Sequence, residues 1–219
     1  MSYGIQLEVW GEYALFTRPE LKAERVSYDC MTPSAARGIL EAILWHPGMK
    51  WVVDRISVGK PIQFANIRRN EVKSKASADQ MRKLMKGTLE SACIATSDDI
   101  QQRASMVLKD VRYLIEAHFI LTDKANASDN PGKFSEMFRR RASKGQSYHQ
   151  PYFGCREFPA KFAPRNEAPF VCAHQDETRD LGLMLYDMDY SDREHIEPTF
   201  FRAVLKNGVM DLEGVEVYR

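Results

Sequence analysis

Arg112, Leu114, Glu116 and His118 alternate along the chain with Val111, Tyr113, Ile115, Ala117 and Phe119. Successive side chains of a strand point to opposite faces, so the second set reads as core. The first set then places a cation, a carboxylate and an imidazole in a row on the other face. Such a row is costly to bury and useful when exposed. His118 can exchange a proton near neutral pH, and Glu116, two residues away, is placed to orient it. General acid–base chemistry is the functional expectation, and a hydrogen-bonded sheet histidine is the structural alternative.

The other informative residues are cationic. Arg68 and Arg69, and Arg139, Arg140 and Arg141 with Lys144, concentrate positive charge in a chain whose formal net charge is only +1. Residues 176 to 219 hold 5 Lys/Arg and 11 Asp/Glu, a net of −6, which leaves a net of +7 for residues 1 to 175. Charge is segregated rather than raised. A polyanion such as RNA rewards Lys and Arg by releasing condensed counterions, and the planar guanidinium fork grips phosphate oxygens in pairs. A solvated face is the competing reading of any charge cluster.

Several chemistries lack their residues. There is no Gly-x-x-x-x-Gly-Lys-Ser/Thr loop, no Gly-x-Ser-x-Gly elbow and no His-Glu-x-x-His helix, which leaves nucleotide hydrolysis, esterase and zinc-protease readings unsupported. Asp98-Asp99 and Asp187-x-Asp189 are carboxylate pairs without a visible partner set. Chemistry without a metal or cofactor is expected. Cys30, Cys93, Cys155 and Cys172 lie far apart and form no Cys-x-x-Cys pair, so they read as reduced, small hydrophobes. The first residues show no charged-then-apolar leader, and no apolar run approaches the roughly 18 residues of a membrane helix. A cytoplasmic location and no membrane partner follow as expectations.

With 44% hydrophobic and 28% charged residues, the chain has enough apolar material for a sizeable core. Ile5, Leu7 and Val9 mark a first strand by their period of two. Thr32-Pro33 predicts a helix start, with Ala36, Ile39, Leu40 and Ile43 as its buried stripe and Pro47-Gly48 as its stop. Trp51 to Val58 and Ile62 to Arg69 predict two extended segments, residues 73 to 105 a polar, irregular insertion, and Met106 to Thr122 a long strand. Asn130-Pro131-Gly132 opens a second, basic helix that ends near Lys144-Gly145, and a further strand is expected around Phe153 to Phe158. Two more extended runs follow, Leu181 to Tyr190 and Phe200 to Leu212, the second turning at Asn207-Gly208.

The predicted class is α+β. Its β-α-β-β-α-β order over residues 1–160 matches a ferredoxin-like, RRM-like domain, and residues 161–219 form a small C-terminal antiparallel β extension.

The runs Leu7 to Pro19 (LEVWGEYALFTRP) and Thr32 to Ile43 (TPSAARGILEAI) resemble the CRISPR-associated Cas-five family, d subtype. So do Lys60 to Ile62, Arg68 to Glu71 (RRNE), Lys109 to Val111, Ala117 to Phe119, Arg140 to Gln146 (RRASKGQ) and Gly154 to Ala160 (GCREFPA), over roughly residues 3 to 210. The resemblance implies a subunit of type I-C CRISPR systems that cuts precursor CRISPR RNA in its repeat hairpin. It would then stay on the CRISPR RNA beside the backbone and large subunits of the surveillance complex. It also implies a metal-independent cut in which the ribose 2′-hydroxyl attacks the adjacent phosphate, leaving a 2′,3′-cyclic phosphate and a 5′-hydroxyl.

A Tyr, a Lys and a His supply base, acid and cation in the family. His118 lies in the matching Ala-His-Phe motif, but the Tyr position falls on Leu44 and the Lys position on Glu116. Tyr28, His46 and Lys109 are the nearest substitutes. Arg68, Arg69, Arg139, Arg140, Arg141, Lys144 and Arg156 are expected to hold phosphates, with Tyr148 and His149 stacking on a base at the stem's foot. Leu44 and Glu116 keep a second expectation open, a non-catalytic scaffold that holds the 5′ end of the guide. Duplex DNA is a further partner, because phosphate contacts discriminate poorly between nucleic acids.

Overall fold

Ile5, Leu7 and Val9 are buried on one face of β1 (Ile5–Ala14) while Gln6 stays exposed. In the computed structural model, which describes residues 4–21, 23–165, 168–192 and 194–219, β1 is followed by β2 (Arg25–Val26), helix α1 (Pro33–Ile43) and β3 (Met49–Val58). Next come β4 (Phe64–Val72), α2 (Ala78–Met85), β5 (Ile100–Leu121), α3 (Pro131–Ser143) and β6 (Lys161–Pro164). The tail supplies β7 (Thr178–Asp189), β8 (Glu197–Lys206) and β9 (Val209–Asp211).

Both main helices begin where local chemistry favours it. The side chains of Thr32 and Asn130 accept hydrogen bonds from the N–H groups of Ala35 and Lys133, and Pro33 and Pro131 follow them at the first turn. A proline there removes an N–H that would have no helical partner. Ala36, Ile39, Leu40 and Ile43 of α1 and Phe134 and Phe138 of α3 bury against the same sheet face. Trp51 meets Phe119 and Phe138 at ring distances of 5.4 and 5.1 Å, and Phe119 meets Phe134 at 6.0 Å.

The strands form one sheet ordered β6-β1-β5-β3-β9-β8-β7, with β2 and β4 pairing β5 off this path. β5 is its hub. The second half pairs with β1 and β3, while the first half pairs with β4 as a long arm, and a positive φ of 49° at Asp110 marks the junction. The stretch expected to be irregular, residues 73 to 105, contains α2 and the start of β5. Its polarity reflects exposure, since no residue of α2 is buried.

Two expectations change. Phe153 to Phe158 is not a strand but a set of turns closed by a Tyr152–Pro159 bridge, and its aromatic density is core filling: Phe153 is fully buried. The strand beside β1 is β6, so residues 161–164 pair with the N-terminal strand rather than with the strands of the tail. The tail joins that sheet when β9 pairs with β3, after a two-residue turn at Asn207 and Gly208, both with positive φ. Among the described residues no helix is long and apolar enough to cross a membrane.

Candidate functional site

The parity argument for β5 holds in part: Tyr113, Ile115 and Ala117 are buried on the helix-covered face and Glu116 and His118 lie half-buried on the open face, but Leu114 of that second row is buried as well. His118 sits opposite Val52 of β3. Just beyond, the register slips between Val53 and Arg55, so that Asp54 is the extra residue of a β-bulge. Bulges re-aim side chains. The Asp54 carboxylate lies against His118 Nδ1, with Oδ1 at 2.8 Å and Oδ2 at 3.0 Å. The bulge is held from the tail, because the N–H of Leu212 donates to the carbonyl of Asp54 at 2.9 Å.

A carboxylate only accepts, so Nδ1 carries the proton and Nε2 of neutral His118 keeps its lone pair. About a third of the imidazole is exposed. Glu116 is not the orienting group expected: it accepts from Gln6 Nε2 at 2.7 Å, and Gln6 Oε1 in turn accepts from Arg165 Nη1 at 3.0 Å. Sequence reasoning missed Asp54. The signal lay in two consecutive polar residues, Asp54 and Arg55, interrupting the alternation of β3.

His118 opens on a groove of about 690 Å³ whose ionic walls are Asp54, Glu116, Asp211, Glu213 and Arg55. Arg55 is paired with Asp211 at 3.3 Å. The groove floor at Gly4, Ile5 and Gln6 continues into a smaller groove lined by Arg139 and Arg165, which brings cations to its edge.

The three substitute residues do not join His118, and none of them lines its groove. Tyr28 is buried, with the Arg18 guanidinium 4.7 Å from its ring centroid, and burial pushes its phenol pKa up. Its N–H donates to Phe16, so the segment that carries it faces the core. His46, just past α1, accepts from the N–H of Gly48 through Nδ1 and packs 5.1 Å from the Phe134 ring. Lys109 precedes His118 by nine positions on β5, about 30 Å of extended strand. Leu44 is in the core, its carbonyl accepting from Trp51 Nε1 at 2.8 Å.

The cationic residues divide. Arg68, Arg139, Arg140, Lys144 and Arg156 are exposed. Arg69 instead points inward, bonded to Ser105 and ion-paired with Glu157, while Arg141 Nη1 donates to the carbonyl of Ile43 at 2.9 Å. These two are engaged within the fold, unlike the exposed five. Tyr148 and His149 are exposed and share a groove with Trp45 and Tyr152.

Residues 4–213 match the family model described as CRISPR-associated protein (Cas_Cas5), of the Cas5d type. A Mannheimia succiniciproducens protein named CRISPR pre-crRNA endoribonuclease Cas5d is 51% identical over 218 residues, covering 97% of this chain and 96% of that one. A Thermus thermophilus protein of the same name is 45% identical over 239 residues, covering 98% and 95%. Among solved structures, a CRISPR-associated protein superposes with a TM-score of 0.70 at 22% identity, covering 99% and 96% of the two chains. SMU1763c from Streptococcus mutans gives 0.69 at 20%, covering 99% and 97%. A chain of a CRISPR RNA-guided surveillance complex gives 0.50 at 12%, covering 98% and 89%. The large antiparallel sheet with its flanking helices is thus a fold shared with CRISPR proteins, and by its near-complete match the chain belongs to the CRISPR-associated Cas5 family, d subtype.

Proposed function

We propose that this chain is a CRISPR RNA-processing endoribonuclease that cuts precursor CRISPR RNA in its repeat hairpin and remains with the product in a type I-C surveillance complex. Family membership and two near-full-length relatives named for that activity support the reading. The observation that carries it is the Asp54–His118 pair in an open groove. In the proposed step Nε2 of His118 takes the proton of the ribose 2′-hydroxyl. The 2′-oxygen bonds to phosphorus, the bond from phosphorus to the 5′-oxygen breaks, and that oxygen acquires a proton from solvent. The products are a 2′,3′-cyclic phosphate and a 5′-hydroxyl. Asp54 stabilises the imidazolium formed, and Arg139 at the groove edge is the cation for charge building on phosphorus.

We read residues 4–164 as a ferredoxin-like unit, on the support of the β6-β1-β5-β3 strand order and two helices on one face, with the tail from residue 168 as its extension. Phosphate binding falls to Arg68, Arg139, Arg140, Lys144 and Arg156.

A second reading, an RNA-holding scaffold without catalysis, draws on the carboxylates around His118 and on Leu44 in the family's Tyr position. The two separate in one experiment: a repeat hairpin is incubated with the protein in EDTA, beside His118→Ala protein and an RNA carrying 2′-deoxyribose at the cut site. One cut that survives EDTA and is lost in both controls supports the nuclease. Intact RNA bound tightly supports the scaffold, and equal binding of duplex DNA of the same length refutes RNA selectivity.

A further inference from the structure

On the side of α1 away from the core, Ser34, Gly38 and Glu41 lie at helical spacing, and Trp45 continues the line past the helix end. They form one wall of a groove of about 610 Å³, and Tyr148, His149 and Tyr152 form the other. The size is that of a small-molecule site. Trp45 is 63% exposed and Tyr148 is 90% exposed, a large apolar investment left in water. The second wall stands close because Gly154, with φ 77°, approaches Leu15: a Cβ there would lie 2.1 Å from the Leu15 carbonyl oxygen.

Gly38 is the telling residue. Glycine inside an exposed helix is less stable than alanine, yet nothing lies within 4 Å of where its Cβ would be. No neighbour in the chain requires the glycine; its effect is to leave the groove floor bare for a flat occupant. Beside it, Glu41 is fixed: Arg37 Nη1 holds Oε1 at 2.6 Å, and Arg37 is itself gripped by both oxygens of Asp187, each at 2.8 Å. Glu41 Oε2 has no protein donor among the described residues. At the Trp45 end the loop after α3 closes on α1, since Tyr148 N–H donates to Ala42 and Arg141 to Ile43, and Arg140 and Lys144, exposed, flank Arg141 in sequence.

We infer that this groove holds one unpaired guanine of the bound RNA, stacked between the Trp45 and Tyr148 side, with Glu41 accepting from its Watson–Crick edge. The inference rests on the RNA-binding reading above. Aromatic walls take any base by its π-face. A lone carboxylate selects donors, and guanine alone presents two adjacent ones, N1–H and the N2 amine, which match a carboxylate in pairs. Arg140 and Lys144 meet the flanking phosphates.

The test uses the full chain and labelled uridine hexamers carrying one central guanine, inosine or adenine, read by fluorescence anisotropy. Guanine is expected to bind about tenfold tighter than inosine, which lacks only the N2 amine, and tighter still than adenine. Glu41→Gln is expected to erase the guanine–inosine difference. Gly38→Leu is expected to weaken binding of the guanine hexamer, with the melting temperature showing that the fold survives. Equal binding of the three hexamers by the native protein, or discrimination that survives Glu41→Gln, overturns the inference. A protein that cuts the repeat hairpin yet shows no base preference refutes the guanine pocket alone. One that neither binds nor cuts any of these RNAs refutes the nuclease reading with it.

Discussion

Around His118 the ionic walls are carboxylates, Asp54, Glu116, Asp211 and Glu213, with Arg55 tied to one of them; around Trp45 they are rings, with Glu41 the only acid among the described residues that line the groove. Both grooves are open and similar in volume, and both take a carboxylate from residues held elsewhere in the chain. The difference lies in what each can accept. Carboxylates repel phosphate, so under the proposed reading the scissile linkage enters from the Arg139 and Arg165 edge. Rings about a bare helix floor favour a neutral, flat group. A base and a backbone would thus be recognised in separate places, one on the open face of the sheet and one beyond the helices that cover the other.

The largest test of that division is His118→Ala, expected to slow single-turnover cleavage of a repeat hairpin by about 100- to 10,000-fold while RNA affinity holds, the usual worth of a positioned acid or base. Undiminished cutting would remove the open face from the chemistry. Asp54→Asn keeps the shape but can present an amide N–H to Nδ1. A fall of about tenfold or more in the same assay is expected. If Asp54→Asn behaves as native protein, the bulge is structural only.

Smaller effects should separate neighbouring arginines. Arg141→Ala is expected to lower stability by about 1 kcal/mol in urea unfolding, because it strips a donor from the end of α1. Arg140→Ala should leave unfolding unchanged and reduce the slope of log affinity against log salt by about 1. The reverse pattern would dissolve the distinction drawn between them. The last test is alkaline. Burial pushes the Cys30 thiol up to about 12 and the Tyr113 phenol well above its usual value. The folded state therefore retains protons that the unfolded chain loses. Thermal stability is expected to decline from about pH 9 upward, the range where free thiols ionise, and Cys30→Ala should soften that decline in a melting series.

What could be read in the sequence was what local chemistry decides. Thr32-Pro33 and Asn130-Pro131 carry their helix starts within four residues, and the alternation along β5 separates His118 from the core without knowledge of any partner strand. What could not be read depended on distant chain. Asp54 reaches His118 only because β3 bulges against β5, 64 positions away. Arg68 and Arg69 look alike until β4 pairs with β5 and turns one outward and the other toward Glu157. Phe153 to Phe158 reads as a strand because the same aromatic content fills a core from turns as readily as from a ladder.

The hydrogen bond from Leu212 to Asp54 has a consequence in time as well as in space. Asp54 and the His118-bearing strand both leave the ribosome well before Leu212, so a nascent polypeptide holds the bulge for a time without its clasp. Any change that displaces the segment around Leu212 would therefore loosen the bulge from a distance, without touching the imidazole itself.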